Sequence, residues 1–151
     1  MPSGPALVIR RHVSAARALV FEAWTDPALM MRWFAADASW QATITADVRV
    51  GGRFDIVMRQ LDGTMHHQLG VYREIVPCSR LVFTWSCPEL AVVDSIVTVE
   101  LTDAGEGTDL VLTHELLDDA DIRNAHERGW TGCLNNLERM LRDDAPEGRG
   151  T

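Results

Sequence analysis

The sequence contains no lysine: all fourteen of its basic residues are arginine, in a chain of 151 residues. This absence excludes enzymes that depend on a lysine amine, such as Schiff-base aldolases, pyridoxal-phosphate enzymes and P-loop nucleotide hydrolases. Cysteine is also scarce, because Cys78, Cys87 and Cys133 form an odd set without C-x-x-C spacing. This pattern argues against a disulfide scaffold, a zinc ribbon and a dithiol redox centre.

Long apolar runs are missing too. No stretch approaches the roughly 18 apolar residues of a membrane-spanning helix, so a membrane is not expected as a partner. The amino-terminal run of residues 6–9 is too short for the core of a signal peptide and is followed directly by Arg10 and Arg11. Together with the unpaired cysteines, this pattern predicts a cytoplasmic protein.

The net charge of −8 is unevenly distributed along the chain. Residues 1–90 carry 9 arginines and 8 acidic residues, a net charge of +1, whereas residues 91–151 carry 5 and 14, a net charge of −9. A nucleic acid is not expected as a partner, because neutralising phosphates requires a basic stripe. The acidity instead favours a neutral or cationic ligand. Arg53, Arg59 or Arg73 would reverse this preference only if its side chain pointed inward, whereas strand alternation predicts that all three point outward.

The hydrophobic pattern predicts one domain over residues 1–151, with an ordered core over about 6–142 and a frayed tail over 143–151. Leu7 to Val13 alternates like a strand. Ser14 is the predicted N-cap of a helix through Thr25, and Asp26 that of a second helix through about Phe34. From Ser39 to Glu115 apolar and polar residues alternate with a period of two, and residues typical of turns separate the apolar runs. Six strands are predicted there, over residues 40–48, 53–61, 66–76, 80–86, 92–102 and 108–115.

The last predicted element is an amphipathic helix of about twenty residues, from Ile122 to Leu141. The order β-α-α-β6-α indicates an α+β domain, in which a curved antiparallel sheet of about seven strands surrounds a long carboxyl-terminal helix. One helix cannot fill the concavity of such a sheet, so we expect a mainly apolar cavity. Gly129 and Gly132 interrupt the helix at about 1 kcal/mol each relative to alanine. Two alternatives explain these glycines: they leave space for a ligand, or they let the helix pack tightly on the sheet.

Short motifs lie at residues 20–27, 32–33, 51–54, 70–75, 80–85, 97–101, 113–115 and 129–134. Together they resemble the activator of heat-shock-protein-90 ATPase homologue family, part of the SRPBCC superfamily of START-like and polyketide-cyclase-like proteins. The resemblance runs from about residue 8 to residue 141 and implies a helix-grip fold. That fold serves lipid carriers, aromatase/cyclases, hormone receptors and co-chaperone domains, so it does not fix the function.

The leading hypothesis is a domain that binds a small hydrophobic or aromatic ligand between the sheet and the long helix. A second hypothesis is a cyclase, aromatase or lyase in which Tyr72, His114 or His126 moves protons on a bound substrate. A third, implied by the resemblance alone, is a co-chaperone that stimulates a chaperone ATPase. The predicted ligand-binding residues are Trp33, Phe54, Met58, Tyr72, Trp85, His114, His126, Trp130 and Cys133.

No cofactor or metal is predicted. His114-Glu115 and His126-Glu127 both lack the second histidine of an H-E-x-x-H zinc motif. His66 and His67 are adjacent on a predicted strand, so they face opposite ways and make a poor chelating pair. Cys133 is a candidate nucleophile only if something lowers its pKa, and the sequence offers no such group. The sequence does not decide between a monomer and a homodimer.

Overall fold

The chain forms seven strands and three helices over residues 6–35, 37 and 39–144, the part that the computed structural model describes. Their order is the predicted one, and a short 3₁₀ turn at Pro88–Leu90 separates the fifth and sixth strands. The elements are β1 (Leu7–Val13), α1 (Arg17–Thr25), α2 (Pro27–Trp33), β2 (Gln41–Ala46), β3 (Arg53–Arg59), β4 (Met65–Val76), β5 (Arg80–Cys87), β6 (Val92–Ala104), β7 (Gly107–Glu115) and α3 (Ala120–Asp144).

All seven strands pair antiparallel in one curved, open sheet, in the order β1-β7-β6-β5-β4-β3-β2. Strands β2 to β7 therefore form successive hairpins, whereas β1 crosses to the far edge and pairs with β7. Leu7 lies opposite His114 in that pair. The arrangement confirms the predicted α+β fold with a long carboxyl-terminal helix.

The two short helices differ in how well their starts were predicted. Asp26 is the N-cap of α2, as expected, and its Oδ1 accepts the Ala28 N–H at 2.9 Å. Ser14 was wrong as the cap of α1, because that helix begins at Arg17 after Ala16. The preceding segment is tied to β7 instead, since the Thr108 hydroxyl donates to the Ala15 carbonyl at 2.7 Å.

The core lies on the inner face of the sheet, under α3. Strand alternation is as predicted on β3, where Phe54, Ile56 and Met58 are all buried. Gly70 on β4 is required by this packing. A Cβ there would lie 1.9 Å from the Thr84 carbonyl oxygen and 2.6 Å from the Phe54 ring, so only glycine lets the strands and the ring approach so closely.

Helix α3 is longer than expected, at 25 residues. Asp119 caps its start, where one carboxylate oxygen accepts the N–H groups of Asp121 at 2.8 Å and Ile122 at 3.2 Å. The helix includes the first two residues of the predicted tail, and residues 145–151 lie outside the described part of the chain. Among the described residues, no helix is both long and apolar enough to cross a membrane.

Candidate functional site

A cavity of about 510 Å³ lies between α3 and the inner face of strands β3 to β5. We call the buried residues that line it the inner wall, and the more exposed residues around its opening the rim. Trp85 on β5 and Trp130 on α3 meet in the inner wall, with ring centroids 5.0 Å apart. The inner wall consists of Phe34, Met58, Gln68, Trp85, Cys87, His126, Trp130 and Cys133, and the rim of Trp40, Thr64, Met65, His66, Glu89 and Leu90.

Gly129 borders the cavity from α3. A Cβ at this position would meet no atom of the described residues within 4 Å beyond its own helical neighbours. The glycine is therefore not needed for close packing of the helix on the sheet, which was one of the two explanations offered for it. It leaves open space beside the helix backbone, where the helix borders the cavity.

Phe34 enters the inner wall because the chain after α2 is held against α3. The Asn136 side-chain amide donates to the carbonyls of Trp33 at 3.3 Å and Ala35 at 3.0 Å. Phe34, between these two residues, contacts both tryptophans of the inner wall, with ring centroids 6.0 Å from Trp85 and 5.5 Å from Trp130. Its position follows from this tertiary hydrogen bonding, so periodicity did not identify it.

His114 lies behind the inner wall and is fully buried. Its Nδ1 accepts the Trp130 indole N–H at 3.0 Å, and an indole nitrogen can only donate. The imidazole proton must therefore be on Nε2, which donates to the Ser95 hydroxyl at 2.8 Å, and that hydroxyl donates to the Trp85 carbonyl at 2.6 Å. Burial, and secondarily the nearby His126, lower the pKa of His114 to about 3.

His126 has the opposite tautomer. Its Nε2 accepts the Trp85 indole N–H at 3.1 Å, so its Nδ1 carries the proton and donates to the Ile122 carbonyl at 2.9 Å. Burial lowers the pKa of His126, partly offset by the hydrogen bond to Ile122. The two imidazole rings lie 5.1 Å apart. Both are neutral, and each holds one tryptophan of the inner wall by its indole N–H.

This network uses both nitrogens of each histidine, so neither ring is available to exchange a proton with a bound molecule. Tyr72 does not join them: it packs among Phe54 and Phe83, and burial raises the pKa of its hydroxyl to about 12. Burial likewise raises the pKa of the Cys133 thiol to about 12, which keeps it from acting as a nucleophile. The geometry therefore gives the enzymatic hypothesis no support.

Three residues form a polar corner in the cavity: Gln68, Cys87 and Glu89. The Gln68 side-chain nitrogen lies 3.9 Å from the Cys87 sulfur, and that thiol donates to the Glu89 carboxylate at 3.6 Å. The Gln68 carbonyl oxygen is buried without a hydrogen-bond partner among the described residues. Burial raises the pKa of Cys87, so the sulfur stays a thiol. The polar corner thus contains an unused acceptor and a carboxylate.

The rim is partly aromatic and partly exposed and apolar. Trp40 stacks on His66, with ring centroids 5.1 Å apart and planes 8° from parallel. Met65 and Leu90 are exposed beside them. His67 faces away and pairs with Asp55, so His66 and His67 diverge as strand alternation predicts. Within the described part of the chain, no group of three or more His, Cys, Asp or Glu could hold a metal ion.

Five of the nine predicted ligand-binding residues line the cavity: Met58, Trp85, His126, Trp130 and Cys133. The other four do not. Trp33 turns its indole N–H to the Ala23 carbonyl at 3.0 Å, and His114 is one layer behind the wall. Phe54 and Tyr72 pack instead around a space of only about 10 Å³.

Gln68 and Cys87 were missed although alternation could have found them. Gln68 shares the inward parity of Tyr72 on β4, and Cys87 shares that of Trp85 on β5. Glu89 lies in the 3₁₀ turn, where no periodic pattern indicates the direction of a side chain.

A curved antiparallel sheet closed by a long helix over an apolar cavity defines a helix-grip domain. A family model described as "Activator of Hsp90 ATPase homolog 1-like protein" matches residues 14–142. The chain belongs to this family, as its motifs predicted. No curated protein matches the sequence.

Solved structures from several bacteria share the fold. A protein from Rhizobium leguminosarum is 32% identical, with a TM-score of 0.79 over 93% of this chain and 95% of that one. A Chromobacterium violaceum protein is 26% identical, with a TM-score of 0.82 over 90% and 96% of the two chains. An AHSA1-like protein from Aeromonas hydrophila is 26% identical, with a TM-score of 0.78 over 92% and 93%.

Proposed function

We propose that this protein binds a small hydrophobic or aromatic molecule in the cavity between α3 and the sheet. The observation that carries the proposal is the glycine at position 129, which borders about 510 Å³ of mainly apolar space that an alanine could enter without a clash. A helix-interior glycine costs about 1 kcal/mol relative to alanine. A ligand that needs the space beside the helix explains why glycine is present at this position in spite of the lower stability.

The fixed tryptophans support the same function. Trp85 and Trp130 each donate their indole N–H to a histidine behind or beside them, so both rings are held in place before any ligand arrives. Rigid aromatic surfaces favour binding because little side-chain freedom is lost on association. A co-chaperone role rests on the description of the family alone, and the cavity does not add to it.

The proposal is tested by titrating 2-methylnaphthalene into ¹⁵N-labelled protein and following the indole N–H resonances of Trp85 and Trp130. We expect saturable shifts of these two signals in the wild type and weaker binding in Gly129→Leu, whose side chain would take up part of the cavity. Asn124→Ala, a change at an exposed position of the same helix, is the matched control and should bind like the wild type. Equal binding by wild type and Gly129→Leu would contradict the proposal, as would no binding at all.

A further inference from the structure

We propose that the ligand of the cavity is an amine: an aromatic or aliphatic body with a protonated nitrogen, which the Gln68 side-chain oxygen and the Glu89 carboxylate hold. This inference rests on the proposed function and adds the chemistry of the ligand's polar group.

The N–H groups of the aromatic inner wall are all used. Those of Trp85 and Trp130 donate to imidazoles, and that of His126 donates to the Ile122 carbonyl. Toward the cavity the two tryptophans therefore offer carbon surface and π electrons, but no donor. A ligand whose polar group only accepts hydrogen bonds, such as a carboxylate or a ketone, finds no partner on these rings.

Gln68 supplies the unused acceptor. Its side chain is part of the inner wall and the residue is only 6% exposed, yet its carbonyl oxygen has no partner within the described residues. Buried carbonyl oxygens are rarely left without a donor, because each loses its hydration without a replacement. A donor on the ligand would satisfy this oxygen after a rotation of the terminal amide.

Glu89 supplies the charge. It is the one carboxylate, and there is no guanidinium, among the described residues that line the cavity. Its Oε1 accepts hydrogen bonds from the Cys87 thiol at 3.6 Å and from the His67 backbone N–H at 3.4 Å. The Cys87 sulfur also contacts the Gln68 side-chain nitrogen, so the carboxylate and the Gln68 amide lie on either side of this sulfur. The polar corner therefore combines a hydrogen-bond acceptor with a negative charge, and an ammonium group complements both.

The aromatic rings act in the same direction. Trp40, Trp85, Trp130 and Phe34 all border the cavity, and the faces of such rings attract a cation. An anionic ligand of the same shape would meet the Glu89 carboxylate and these faces with no arginine to balance them. Arg53, Arg59 and Arg73 are all exposed, so none of them reverses this preference.

Three probes with the same ring system test the inference by isothermal titration calorimetry: 2-(aminomethyl)naphthalene, 2-methylnaphthalene and 2-naphthoate. We expect the amine to bind the wild type about tenfold more tightly than 2-methylnaphthalene, the gain of one hydrogen bond to a charged group, and 2-naphthoate to bind most weakly. In Gln68→Met and in Glu89→Gln, the affinity for the amine relative to that for 2-methylnaphthalene should fall from about tenfold to near one. Glu89 is exposed, so its replacement does not threaten folding.

The outcomes separate the two proposals. Equal affinities for all three probes, or an amine preference that both variants retain, would overturn the amine inference and leave ligand binding standing. Failure of all three probes to bind the wild type would overturn the proposed function, and the amine inference with it.

Discussion

Replacing Gly129 with alanine should stabilise the protein. The new methyl group would meet no described atom within 4 Å, so no steric penalty opposes the gain in helix propensity of about 1 kcal/mol. For a domain of this size, roughly 1 kcal/mol raises the melting temperature by about 2–4 °C. Thermal unfolding followed by circular dichroism at 222 nm, supported by urea denaturation, would measure the change.

The larger substitution Gly129→Leu tests what the space is for. Its side chain would reach the rings of the inner wall, and burying it there would add up to roughly 1.5–3 kcal/mol to the propensity gain. The same side chain should weaken the binding of 2-methylnaphthalene, because it takes up part of the cavity. Stability and binding would then change in opposite directions, which is expected of a position kept as glycine for function.

Asn124→Ala is the control for helix propensity, since it replaces a weaker helix former at an exposed position of α3. It should stabilise the protein by roughly half a kcal/mol without affecting binding. Destabilisation by Gly129→Ala would refute the reasoning, because it would mean that the helix backbone packs closely at this position and that the cavity is not open beside it.

Three other predictions concern the interior. Because the folded-state pKa of His114 is lowered to about 3 from 6.5, its contribution to stability is complete above pH 6.5 and declines as the pH falls below it. Between pH 7.5 and 5 urea denaturation should show a loss of about 2 kcal/mol from this residue, and His114→Gln should lack it; an unchanged pH slope would contradict the assignment. Gly70→Ala should destabilise the protein by about 2–3 kcal/mol in the same assay, since its Cβ would clash with the Thr84 carbonyl; a neutral effect would show that β4 and β5 can separate there. Cys133 should resist Ellman's reagent in the native protein and react after denaturation, and rapid native labelling would show that its burial is incomplete.

The sequence predicted the architecture well because the fold follows from local periodicity. Alternation placed Phe54, Ile56 and Met58 on the inner face of β3, and helical spacing placed Trp130 and Cys133 on the inner face of α3. These patterns depend only on the direction of successive side chains. Ser14 failed as a cap because residues far along the chain, on β7, hold the backbone before α1.

The site was predicted less completely, because its properties depend on contacts between distant residues. Parity correctly pointed His114 inward, but it could not show that Trp130 and Ser95 would take both ring nitrogens. The open space at Gly129 is likewise a property of what the opposite sheet leaves unfilled. The pattern of apolar and polar residues along a sequence shows neither which hydrogen-bonding groups find partners nor which space in the interior stays unfilled.

The pairing of β1 with β7 has a consequence for the order of folding. Strands β2 to β7 are successive hairpins that can form by local closure, whereas β1 pairs with residues that lie 95 to 107 positions further along the chain. Strand β7, with which β1 pairs, contains His114, and His114 accepts the hydrogen bond that orients Trp130. We therefore expect the fluorescence of the buried tryptophans to reach its native value only in the last and slowest kinetic phase, when the amino-terminal strand docks onto a preformed meander.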